Sequence, residues 1–120
     1  MNRRTYLAVF RHVMLLWAAG KISHPDFQSW QEFRATVARG LQQVTSQMGR
    51  GQTALVFTSG GTIAAATGQT LELSNLKTIG LNWVVLNSSF TTFYYREQAL
   101  LLAQFNALPH IEDEALQTYV

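Results

Sequence analysis

The stretch Ala54-Leu-Val-Phe-Thr-Ser-Gly-Gly-Thr-Ile-Ala-Ala-Ala66 decides how this chain is read. Thr53–Phe57 is a short apolar run, of the length and composition of a strand buried on both faces. It runs straight into Thr58-Ser59-Gly60-Gly61. Thr62–Ala66 is small and helix-compatible, with Gly68 as its expected stop. A strand-turn-helix of this kind aims backbone N–H groups from a helix N-terminus, where an anion can sit. Thr58, Ser59 and Gly60 are therefore the candidate phosphate-binding residues. The competing reading is a tight turn in which Gly60 and Gly61 merely permit close packing, since such turns serve many functions.

Upstream, Ser29-Trp-Gln-Glu32 fits a capping box, with Ser at the N-cap and Glu three residues on. Trp30, Phe33, Val37, Leu41, Val44 and Met48 follow at intervals of three and four, which predicts a helix over 30–48. Gly49-Arg-Gly51 stops it. Residues 3–19 read as a second helix, apolar nearly all round and so expected to be buried on two sides. Its start, Met1-Asn-Arg-Arg4, mimics a signal peptide, but Arg11-His12 interrupts the run. Val13–Ala19, the longest apolar piece left, falls far short of a membrane span.

Downstream, Ser74–Ile79 reads as one or two helical turns and Leu81–Leu86 as extended. Ser88–Tyr95 and Ala99–Phe105, separated by Arg96-Glu-Gln98, read as a β-hairpin. Residues 109–120 form an acidic tail, expected to be irregular. The order is helix, helix, strand, helix, strand, strand. It predicts one α/β domain over 1–120, with two N-terminal helices, a small mixed sheet and a C-terminal hairpin. An interior strand needs a neighbour on each edge. The visible strands do not supply both for Thr53–Phe57, so the domain is expected to be incomplete.

Composition agrees with a folded chain and narrows its partners. The 120 residues are 48% hydrophobic and only 13% charged, enough for a core and too few charges for disorder. Much of the surface must be neutral or apolar, the condition for a partner surface. Residues 1–50 hold seven Lys/Arg against two Asp/Glu, and residues 51–120 hold two against five. The basic residues are dispersed rather than gathered into a stripe, against nucleic-acid binding. No cysteine is present, which excludes disulfides, thiolate nucleophiles and Cys-type zinc sites and fits a cytoplasmic protein. His12, His24 and His110 are too scattered for a metal site. No cofactor is implied.

The capped helix, the 54–66 stretch, Asn87-Ser88-Ser89, and Asn106 followed by His110-Ile111 occur in the order seen in one known family. Over roughly residues 28–120 the chain resembles the C-terminal half of the histidine phosphatase (phosphoglycerate mutase-like) superfamily. The resemblance implies a partial three-layer phosphoglycerate mutase-like fold and a phosphorylated small molecule or inorganic phosphate as ligand. It also sets out what departs. The family's first strand ends in Arg-His-Gly, whose His becomes phosphorylated, and a second His stands in Ser-His-Gly-Gly. Here Ser59 occupies the second-His position, and the Arg-His-Gly strand has no counterpart.

Phe10-Arg11-His12-Val13 is a superficial substitute for that strand. Val13 replaces the Gly, the apolar pattern continues as helix, and 46 residues separate His12 from Ser59, fewer than the family interposes. A helical pair with a solvated Arg and a partly packed His is the simpler reading of Arg11 and His12. Replacing an imidazolium by a hydroxyl removes a positive charge. Losing one preorganised donor to transition-state charge typically costs ~3–4 kcal/mol.

Three readings follow. The chain is a truncated or degenerate family member, not catalytic alone, whose missing wall comes from a complementing chain or from a second copy in a homo-oligomer. Alternatively it is an active phosphatase or mutase, if sequence ahead of Met1 encodes the Arg-His-Gly strand. Or it is an α/β module that holds a nucleotide or small anion at Thr58–Gly61. His24 is expected to be solvated, His110 structural, and Asn87 bonded to nearby backbone.

Overall fold

In the computed structural model, which describes residues 1–97 and 99–119, four helices precede a hairpin. Helix α1 spans Arg3–Ala18, α2 Trp30–Ser46, α3 Gly60–Thr70 and α4 Asn75–Asn82. Strands β1 (Phe90–Arg96) and β2 (Ala99–Ala107) follow, then one 3-10 turn at Glu114–Leu116. The chain is α/β, and its sheet is an antiparallel pair.

Local chemistry sets the helix ends. The α2 capping box forms as read: the Glu32 N–H donates to Ser29 Oγ at 3.0 Å and the Ser29 N–H to Glu32 Oε2 at 3.1 Å. Helix α1 stops at Gly20, whose φ of +70° is cheap only without a Cβ. The Lys21 N–H then closes back onto the Leu16 carbonyl, satisfying an end group that would otherwise lack a partner.

The helices meet in two apolar clusters. Ala18, Trp30 and Ile79 form one, packed round by Met14, Leu15, Trp17, Phe33 and Trp83. Val37, Ala65 and Ala66 form the other, joined by Phe33, Leu41 and Phe93. Phe33 therefore links the two. Phe93 brings the hairpin onto α2 and α3, and the Tyr95 hydroxyl donates to the Gly49 carbonyl at the end of α2.

Five expectations need correction. Thr53–Phe57 is not a buried strand. Residues 52–59 belong to no ladder, and Leu55, Val56 and Phe57 are 74%, 58% and 93% exposed. The reason is topological: β1 and β2 pair with each other, leaving no described strand to take its N–H and C=O groups. The sheet is consequently antiparallel and two-stranded rather than mixed.

Helix α1 is covered on one side only. It packs on α4 and α2, while Tyr6, Leu7, Val9, Phe10 and Val13 remain 37–56% exposed. Gly68 does not end α3 but lies inside it, where a Cβ would stand 2.3 Å from Thr78 Oγ1. Finally, Leu81 and Asn82 close α4, and of the stretch 81–86 only Leu86 pairs, through a bridge to Tyr119 in the tail. The expected polar break of the hairpin is partly seen: Arg96 ends β1 and Glu97 takes φ +49°, whereas Gln98 lies outside the described residues.

Candidate anion site at the start of helix α3

Ser59 is the N-cap of α3, with φ −91° and ψ 164°. These are N-cap dihedrals, and a Ser there ordinarily accepts from the N2 or N3 N–H. Ser59 makes no such bond. Its hydroxyl instead lies 3.4 Å from Thr62 Oγ1, near the outer limit of a hydrogen bond. The first intrahelical bond is Ile63 N–H to the Ser59 carbonyl at 3.1 Å. The N–H groups of Gly60, Gly61 and Thr62 thus belong to the first turn, which has no intrahelical acceptors. Thr58 and Ser59 are exposed and Gly60 is buried.

Around this helix end the surroundings are apolar. Gly61 and Ala64 face Met14, Trp17, Phe33 and Ile79 across a cavity of about 70 Å³ that Asn82 also lines. A Cβ on Gly61 would meet Asn82 Oδ1 and Phe33 Cζ at 3.9 Å, ordinary contact. Packing therefore does not demand glycine at 61.

The other sequence candidates are not brought to Ser59 by any hydrogen bond. Arg11 and His12 sit in mid-α1, the Arg solvated as the helical reading has it and the His exposed rather than partly packed. His24 is exposed in its loop, accepting from the Asp26 N–H at Nδ1, with its ring tilted 47° against that of Phe27. His110 packs edge-on to Phe90. Asn87 donates through Nδ2 to Thr118 Oγ1 and to the Tyr119 carbonyl, so it clips the tail.

Asn106 has a use that its sequence context does not reveal. At φ +60° it receives the Leu86 N–H on Oδ1 at 2.8 Å and donates from Nδ2 to the Val84 carbonyl at 2.6 Å. One side chain thereby serves segment 84–86 as a strand edge would. The only advance signal was the residue type, since Asn tolerates the left-handed region better than most.

A wider open groove of about 640 Å³ runs between α2 and the hairpin, with Leu41, Thr45, Gln69, Tyr95 and Leu100 on its walls. Among its lining residues only Tyr95 is titratable, and the Tyr95 hydroxyl is taken by the Gly49 carbonyl. No group of His, Asp and Glu among the described residues has the arrangement of a metal site. Among the described residues no helix is long and apolar enough to cross a membrane. Comparison with family models, curated proteins and solved structures finds no match.

Proposed function

We propose that this chain is a degenerate histidine phosphatase-like protein that holds a phosphate-class anion at Thr58, Ser59 and Gly60 and performs no phosphoryl transfer by itself. One observation carries the reading: a serine at the N-cap of α3 leaves its own helix uncapped. Ser59 is exposed at a helix N-terminus, where the first-turn N–H groups have no intrahelical acceptors and the helix dipole favours negative charge. Covalent phosphoryl transfer needs an activated nucleophile and cations on the equatorial oxygens. No imidazole or guanidinium is hydrogen-bonded to Ser59.

Calorimetric titration with inorganic phosphate tests the anion site. Binding on the order of 1 mM is expected for so few contacts. Ser59→Asp should abolish it while raising the melting temperature, because the carboxylate both repels the anion and caps the helix. Silent titrations would remove the anion site. Hydrolysis of an aryl phosphate by the purified chain would overturn the claim of no independent catalysis.

The unpaired Thr53–Phe57 segment also favours a second reading, an active phosphatase completed by a strand bearing Arg-His-Gly. The DNA ahead of the Met1 codon tests it: an in-frame strand with that motif supports the active enzyme, and its absence removes it.

A further inference from the structure

The exposed segment that leads into α3 is built to be covered. Five residues, Thr53–Phe57, have strand composition, no ladder partner on either side, and three large apolar side chains in solvent. Such an edge is a template for another strand. Nearby, α1 leaves Tyr6, Leu7, Val9, Phe10 and Val13 exposed. Met14 of α1 and Gly61 at the start of α3 line one cavity, so α1 passes beside the helix into which the segment runs.

The surface area measures how much is left uncovered. A self-contained monomer of this mass exposes roughly 6,500 Å², whereas this chain exposes 9013 Å². The radius of gyration is 15.7 Å against roughly 13.5 Å for a compact domain of this length. The excess, about 2,500 Å², matches what one partner of an obligate interface hides, roughly 1,000–2,500 Å².

Charge indicates which partner. Arg3, Arg4 and Arg11 are exposed on α1, and Glu112, Asp113 and Glu114 are exposed in the tail. Neither group is paired within the chain: the one contact between basic and acidic side chains among the described residues lies elsewhere, His24 Nδ1 standing 3.7 Å from Asp26 Oδ2. The chain carries both members of a complementary pair of patches and a net charge of only +2, so two copies repel little and can pair basic with acidic ends twice across a two-fold axis.

The geometry points to a second copy of this chain as the occupant, with Thr53–Phe57 of the two copies paired antiparallel about a two-fold axis near Leu55 and the outer face of α1 covered in the same interface. This rests on the unpaired segment and not on the phosphatase reading, so dimerisation and phosphate binding fail separately.

Light scattering on the purified chain gives the first readout: twice the 13.5 kDa chain mass is expected, and a well-dispersed monomer at about 0.1 mM would overturn the proposal. Because the chain has no cysteine, Leu55→Cys introduces a sole thiol. Directly opposed residues of an antiparallel pair have Cα atoms about 4.5–5.5 Å apart, within disulfide reach. Mild oxidation should link Leu55→Cys to itself and leave Leu76→Cys, at an exposed position of α4, unlinked. The double variant Leu55→Pro/Val56→Pro removes a donor from each edge of the segment and should raise the dissociation constant about a hundredfold. Its far-UV spectrum should keep the helical signal, because both side chains are exposed in the monomer. A dimer that ignores the prolines and does not crosslink at 55, or a different polypeptide bound there, sinks the proposal.

Discussion

Thr78 of α4 packs against Gly68 of α3 with no room for a Cβ between them, and each constrains the other. Thr78 is wholly buried, and its hydroxyl has no hydrogen-bond partner. A buried unpaired hydroxyl costs about 1–3 kcal/mol. Thr78→Val keeps the shape and removes the hydroxyl, so a stability gain of about 1 kcal/mol is expected in urea unfolding. Gly68→Ala goes the other way: its methyl would meet Oγ1, Cγ2 and Cβ of Thr78, all within 2.9 Å. A branched side chain in a helix has little freedom to turn aside. The expected loss of about 1–3 kcal/mol outweighs the roughly 1 kcal/mol that Ala gains over Gly in a helix. Asn106→Ala should cost about 2–3 kcal/mol, through two lost hydrogen bonds and a side chain held at positive φ. Asn106→Gly relieves only the second part, so comparing the two melting curves separates them.

Among the elements, α2 was the most legible and Thr53–Phe57 the least. Helix α2 carries its own start signal, its own periodicity and a stop, all local, and the structure reproduces the start to the residue. Ser29→Ala should remove about 1 kcal/mol, read as a drop in the unfolding midpoint. The hairpin was legible for the same reason, because two aromatic and aliphatic runs close over a short turn. Thr53–Phe57 has equally strong local preference but needs a neighbour, and pairing is a non-local property that composition cannot supply. Gly68 was misread because a glycine near the end of an apolar run looks like a stop, whereas a helix crossing uses the same residue for close approach. The candidate site divides likewise. Ser59 at a helix N-terminus followed from the residues, but that its hydroxyl would fail to cap α3 did not. The bonding of Asn87 and Asn106 to backbone depends on where the tail and segment 84–86 lie.

For the whole molecule, the imbalance between apolar content and buried area is the governing fact. Among the described residues eight hydrophobic side chains are buried, and four of them are alanines. Large side chains are thus mostly at or near the surface. If that surface is shared between copies, the melting temperature should rise with protein concentration, and dilution should increase the binding of a hydrophobic dye. The arrangement of the three indoles bears on how such experiments are read. Trp17 and Trp30 stand edge to face at 5.4 Å, and Trp83 joins the same cluster beside Phe10. Intrinsic fluorescence therefore watches the junction of α1, α2 and α4 alone. The hairpin, held through Phe93 and Tyr95, is dark at those wavelengths. Tyrosine absorbance reports Tyr94 and Tyr95 of the hairpin together with Tyr6 of α1 and Tyr119 of the tail, so a gap from the tryptophan-emission melt that persists in the Tyr6→Phe/Tyr119→Phe variant would mark the hairpin's departure from the helices.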